Sequence, residues 1–148
     1  MVLQKLDFKP FVIGVIGTIA SGKDAVSNYL VKKYHFKKIL MSNFLRAEAR
    51  KRNIRPTRDN LRKLQHELRA RYGEDYLVSK AVEEIKTRDH MSMKNVVIDG
   101  LRTIVDVELA KKELGAKIIM VDARPFIRYM RQKKRHRTGF PKTYEQFL

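Results

Sequence analysis

Residues Gly17-Thr18-Ile19-Ala20-Ser21-Gly22-Lys23 follow the pattern G-x-x-x-x-G-K, whose chemistry is the cradling of phosphate. In such a loop the glycines let backbone N–H groups curl toward phosphate oxygens. The helix that begins beyond it adds partial positive charge, and the lysine reaches the β- and γ-phosphates. Asp24 stands where the pattern usually carries Ser or Thr. A carboxylate there is a hard oxygen ligand suited to Mg²⁺, yet it brings negative charge beside the phosphates, which direct metal coordination would offset. Asp99 is the second candidate metal ligand, at the end of the apolar run Asn95-Val96-Val97-Ile98, where a Walker-B acid stands. Its plain structural alternative is a carboxylate that caps Arg102 or a nearby helix.

Phosphoryl transfer also needs cations around the transferring oxygens. Arg46 and Arg102 each follow the carboxyl end of a predicted strand, and Arg128, Arg131, Arg135 and Arg137 cluster late in the chain. For each of the late arginines a solvated surface role is an equal alternative. The histidines at 35, 66, 90 and 136 show no metal-ligand spacing, and no Ser-His-Asp or Cys-His pairing is visible.

These groups need elements to hold them. Phe11-Val12-Ile13-Gly14-Val15-Ile16 reads as a buried parallel strand, and Ala25, Val26, Tyr29, Leu30 and Tyr34 recur at helical spacing behind the glycine loop. Lys38-Ile39-Leu40-Met41 is a second predicted strand, and Ser42 then caps a helix that Arg55-Pro56 breaks. Thr57 opens a helix carrying Leu61, Leu64 and Leu68 and closing at Tyr72-Gly73; another carries Leu77, Val78, Ala81, Val82 and Ile85. Residues 87–94 form a polar loop. The third strand runs from Asn95 to Asp99 and ends at Gly100. A helix follows on Ile104, Val107, Ala110 and Leu114, with Gly115 behind it. Lys117 to Asp122 is the fourth strand, a helix around Phe126, Ile127 and Met130 follows, and Thr143 caps a last helix. Alternating strands and helices predict a three-layer α/β domain with a parallel sheet, its ligands at the carboxyl ends of the strands.

At 148 residues the chain has the length of one domain. It has no cysteine, which excludes disulfides and thiolate metal sites, and no apolar run approaches the roughly 18 residues of a membrane span. A cytoplasmic protein without membrane contact is expected. The net charge of +17 attracts polyanions: nucleotides, coenzyme phosphates or nucleic acid. A solvated, highly charged surface accounts for it equally.

The same residues resemble the nucleoside-monophosphate-kinase-like P-loop kinases, the branch with adenylate kinase, dephospho-coenzyme A kinase and related archaeal proteins. The likeness rests on Gly17 to Lys23, on Met41-Ser42-Asn43-Phe44-Leu45-Arg46, and on Thr57-Arg58-Asp59-Asn60-Leu61. Leu68 to Gly73, Val97-Ile98-Asp99-Gly100-Leu101-Arg102, Val121-Asp122-Ala123 and Lys142 to Leu148 extend it. The resemblance implies a P-loop NTPase fold with an acceptor-binding helical insertion about residues 42–90 and a short basic lid about 131–142. It implies ATP and Mg²⁺ as cofactors, with Gly17, Thr18, Ile19, Ala20, Ser21, Gly22, Lys23 and Asp24 around the donor phosphates. Asp24 and Asp99 would hold the metal, Ser42, Arg46 and Arg102 the acceptor. Lys23, Asp99, Arg102, Arg131 and Arg135 would carry catalysis. The expected activity is ATP-dependent phosphoryl transfer to a nucleoside monophosphate or dephospho-coenzyme A. Members of the family it resembles usually continue with a further strand and the loop that packs against the donor's adenine. Four strands are visible here, so the usual fifth is expected to be missing and the chain to be C-terminally short. A nucleotide-regulated RNA- or DNA-binding protein and a truncated, inactive kinase are the alternatives. The sequence leaves the oligomeric state open.

Overall fold

The structure, a computed structural model, describes residues 9–88, 93–135 and 141–148. Its elements are β1 (Phe11–Ile16), α1 (Lys23–Tyr34), β2 (Lys37–Leu40), α2 (Met41–Lys51), α3 (Arg58–Tyr72) and α4 (Tyr76–Thr87). They continue with β3 (Asn95–Leu101), α5 (Ile104–Leu114), β4 (Lys117–Met120), α6 (Pro125–Lys134) and α7 (Tyr144–Phe147). The four strands form one parallel sheet in the order β2-β3-β1-β4.

β1 and β3 are the inner strands, and their apolar runs are buried on both faces, as a parallel sheet between helices requires. Ile13, Val15 and Val97 face α1, where Val26, Leu30 and Val31 pack on them. Val12, Val96 and Ile98 face the opposite way, into the larger core made with α2, α3, α4 and α5. Leu64 and Leu68 of α3, with Leu77, Val78, Ala81 and Ile85 of α4, fill that core at helical spacing.

The helix signals at Thr57, Gly115 and Thr143 hold. Thr57 Oγ1 accepts from the Asn60 amide, Thr143 Oγ1 accepts from the Gln146 amide, and Gly115 takes the left-handed conformation behind α5. Four details differ from the sequence reading. β2 ends at Leu40, so Met41 is helical, and Leu40 rather than Ser42 occupies the N-cap position of α2. Ser42 therefore sits inside the first turn, and the sheet passes into the helix with no loop between. α2 already ends at Lys51, ahead of Arg55-Pro56. β4 stops at Met120, short of Asp122. Finally, β3 runs through Gly100 to Leu101. There Val15 pairs with Asp99 but Ile16 with Leu101, so Gly100 is the extra residue of a bulge, at φ 101°. The bulge returns Leu101 to the face it shares with Ile98, and both lie in the larger core. Of the loop expected over residues 87–94, positions 89–92 lie outside the described residues, as does His90.

One buried ion pair ties this architecture together. Asp106, only 1% exposed, accepts from the amides of Arg102 (2.9 Å) and Thr103 (3.1 Å), while Thr103 Oγ1 accepts from the Asp106 amide. This is a reciprocal capping box at the start of α5. The same carboxylate meets Arg69 Nη2 of α3 at 3.2 Å. Removing Asp106 leaves a mostly buried guanidinium with only the exposed Glu74, 3.6 Å from its Nη1, and uncaps α5 together. Asp106→Ala is expected to lower unfolding free energy by about 3–5 kcal/mol in urea denaturation. A loss below about 1 kcal/mol would mean that Arg69 finds solvent instead.

Candidate functional site

The glycine loop occupies residues 17–22, between the carboxyl end of β1 and the first turn of α1. Its shape is set by backbone conformation and by close approach. Gly22 (φ 109°) and Ala20 (φ 59°) are left-handed. Gly17 lies so close to its surroundings that a Cβ there would stand 2.3 Å from the Val121 carbonyl oxygen and 2.6 Å from Ser21 Oγ. Only glycine fits. Within the loop, the Ser21 amide donates to the Thr18 carbonyl at 3.2 Å. The amides of Thr18, Ile19, Ala20 and Gly22 have no acceptor among the described residues. First-turn amides of a helix are likewise left without intrahelical partners. The result is a nest of donors backed by the amino end of α1, an anion site by construction.

Asp99 lies on the α1 side of the sheet beneath this loop and is 1% exposed. Its Oδ2 is held twice: Ser27 Oγ stands at 2.6 Å and Lys38 Nζ at 3.1 Å. Ser27 Oγ is also 2.7 Å from the Lys23 carbonyl. Its single hydrogen serves one acceptor at a time, and the charged one binds it more strongly. Ser27 therefore donates to the carboxylate and ties it to α1. Its other oxygen, Oδ1, is buried without a partner, and so is Ser21 Oγ in the loop itself. Two unpartnered buried oxygens at one site call for a ligand. An Oδ1 fixed in direction and free of protein donors fits a hydrated Mg²⁺ beside bound phosphates. The structural alternative for Asp99, capping Arg102, is taken instead by Asp106.

Asp24 is about half exposed, and its Oδ2 is 3.7 Å from Arg135 Nη2. Nothing buries it, so it is available to solvent and to a metal. No group of three or more His, Cys, Asp or Glu gathers among the described residues, here or elsewhere. Mg²⁺ held by one or two carboxylates and phosphates needs none.

The arginines divide. Arg131 Nη1 donates to the carbonyls of Ala20 (3.1 Å) and Ser21 (2.8 Å), so α6 grips the loop from outside. Arg128 Nε is turned back to the Ala123 carbonyl at 3.1 Å. Arg46 and Arg102 are exposed, without a side-chain partner among the described residues, as is the partly buried Lys23. Their elements converge: the carboxyl ends of β1, β2 and β3 lead into the glycine loop, α2 and Arg102 respectively, and Met41 packs against Gly100. Ser42 and Arg46, one helical turn apart, share a flank of α2. Arg137 lies outside the described residues, along with positions 136–140 of the lid stretch. Thr18 Oγ1 meets Asp122 Oδ1 at 3.4 Å, closing the loop toward β4. Ile19 is exposed at the loop's tip.

Sequence reading missed Ser27, Lys38 and the role of Asp106. Ser27 had a signal, lying four residues after Lys23 and so one turn along the sheet-facing side of the helix. The T-x-x-D spacing of Thr103 and Asp106 was a signal too. Lys38 had none, because only the sheet order places β2 beside β3.

Fold and site together define a nucleotide-kinase-like P-loop protein. Residues 16–146 match the family described as an AAA domain, and the chain belongs to that family. Among its relatives is a UPF0200 protein of Hyperthermus butylicus, 32% identical over 136 residues, or 92% of this chain and 71% of the relative. A UPF0200 protein of Staphylothermus marinus is 32% identical over 140 residues, 95% of this chain and 71% of that protein. Solved structures show the same fold. A Chloroflexus aurantiacus protein provisionally named a kinase superposes with a TM-score of 0.63 at 15% identity, covering 95% of this chain and 76% of its own. A gluconokinase from Sinorhizobium meliloti gives 0.52 at 16%, covering 95% and 71%. At such identities the likeness is one of fold.

The Arg131 contacts predict a particular behaviour. A guanidinium that shapes the loop supports every nucleotide that the loop holds, and charge-assisted hydrogen bonds of this kind are worth about 1.5–3 kcal/mol. Arg131→Ala is expected to weaken ATP and ADP by similar factors, roughly tenfold or more by calorimetry. A loss confined to ATP would place Arg131 on the γ-phosphate instead.

Proposed function

We propose that this chain is an ATP-dependent phosphotransferase acting on a nucleotide-type acceptor, a nucleoside monophosphate or dephospho-coenzyme A. The observation that carries this reading is the Asp99 carboxylate, pinned through Oδ2 by Ser27 and Lys38 with Oδ1 left open under the phosphate loop.

In this reading the amides of residues 17–22 and Lys23 hold the donor phosphates, and Asp99, with Asp24, holds Mg²⁺. A Mg²⁺ held by these carboxylates would supply charge neutralisation to the donor phosphates. Arg131 keeps the loop in shape, and Arg135, beside Asp24, brings positive charge to the transferring group. Ser42, Arg46 and Arg102 orient the acceptor at the neighbouring strand ends. Asp106 fixes the backbone from which Arg102 departs. Little covalent work falls to the protein, since transfer of this kind depends on alignment and on fixed charge.

Lys23→Ala is expected to abolish ATP binding in calorimetry, and retained affinity would reject the donor assignment. Arg46→Ala is expected to weaken the acceptor about tenfold to a hundredfold, in line with loss of a charge-assisted bond, while ATP binding stays as in the wild type. Equal loss for both ligands would remove Arg46 from the acceptor side. A panel of nucleoside monophosphates and dephospho-coenzyme A, scored for ATP consumption, identifies the acceptor. Consumption unaffected by every member would reject the reading.

A further inference from the structure

The phosphate site uses few of the chain's positive charges, and the opposite pole of the sheet concentrates many of the rest. Each strand begins there on or just after a lysine. Lys37 opens β2, Lys117 opens β4, Lys94 immediately precedes β3, and Lys9 lies two residues before β1. All four are exposed. Because the strands are parallel and adjacent in the order β2-β3-β1-β4, these lysines form a staggered row, with Lys37 level with Val96 and Lys117 level with Ile13, farther along the strands than Lys94 and Lys9. At a strand spacing of roughly 4.8 Å the row is about 14 Å long. Lys9 Nζ would stand 3.7 Å from a Cβ on Gly115, which places the row against the end of α5. α1 and α5 both end at this pole, in Lys32-Lys33 and Lys111-Lys112.

The acids on the flanking helix ends are already engaged, Glu113 with Lys86 and Glu84 with Arg88. None of the row lysines has an ion-pair partner among the described residues. Three large rings stand among the lysines: Phe11, Tyr29 and Tyr34 are 50%, 56% and 53% exposed. Fold stability explains part of this. Lysines in the last turn of a helix complement its dipole, which accounts for those of α1 and α5. Strands carry little net dipole, so the row across the sheet has no such explanation.

We propose that this pole binds single-stranded nucleic acid, the row lysines on successive phosphates and the exposed rings under bases. Lysine is a compact point charge that grips backbone without reading sequence, and exposed rings accept any base by stacking. An anionic membrane would call for a contiguous apolar wedge, whereas here Tyr29 and Tyr34 meet edge to face at 5.9 Å, both carrying hydroxyls, and Phe11 lies apart on β1 against Phe36. The surface lies at the opposite end of the strands from the phosphate loop and does not depend on the phosphotransferase reading.

The test is fluorescence anisotropy of the 148-residue chain with a labelled oligouridylate of about 15 nucleotides, titrated across salt concentrations. Replacing Lys9, Lys37, Lys94 and Lys117 together by Ala is expected to reduce the slope of log affinity against log salt by about 3, since each single-strand phosphate contact contributes roughly 0.7. ATP affinity by calorimetry should not change. Replacing the exposed Lys51, Arg58, Arg62 and Lys63 by Ala removes equal charge elsewhere and should leave the slope nearly intact. Replacing the four row lysines by Arg should restore it. If the quadruple alanine variant melts early, the double variant Lys37→Glu, Lys117→Glu gives the same reading with fewer changes. Equal slopes lost by both alanine sets, absence of oligonucleotide binding, or binding only to phosphatidylserine vesicles would each overturn the proposal.

Discussion

The Asp99 carboxylate is the group around which the glycine-loop end of the molecule is organised. A buried anion is costly unless neighbours compensate it. Here compensation comes from two separate elements, Ser27 of α1 and Lys38 of β2, acting on a strand that neither belongs to. The requirement thereby fixes how α1 lies over the sheet and which strand stands beside β3. It also fixes the open oxygen, because both donors use Oδ2. The carboxylate is held and directed by the same pair of contacts.

The glycine loop depends on a second set of constraints that come from outside it. The Val121 carbonyl presses on Gly17 from the end of β4, and Arg131 holds two loop carbonyls from α6. A nest of amides is useful to an anion only if its carbonyls are turned away, and Arg131 binds them in that orientation. The cradle is thus shaped by residues more than a hundred positions later in the chain.

Much of this was legible in the sequence. The alternation of apolar runs and helical periodicity, with caps at Thr57, Gly115 and Thr143, gave the three-layer fold, because those signals are local. The glycine loop and Asp99 stood at strand ends for the same reason. Boundaries were less legible. Ser42 looks like a cap by residue type, yet the β2 strand passes directly into α2, and tertiary packing of Met41 against Gly100 overrides the preference. Gly100 looked like a strand terminator and is a bulge instead, which only the register with β1 reveals. Lys38 was invisible as a site residue because its importance arises from the order of strands, and Arg131 was expected above the phosphates because nothing in one sequence tells which side of a loop an arginine approaches.

The junction between β2 and α2 has a mechanical consequence. With no residue between Leu40 and Met41 to absorb a change in backbone angle, the amino end of α2 moves only with the sheet. The segment of residues 52–57, between α2 and α3, is free of helix and strand. Any hinge in this part of the chain therefore lies at the far end of α2, and Ser42 and Arg46 stay in fixed register with the strand that carries Lys38.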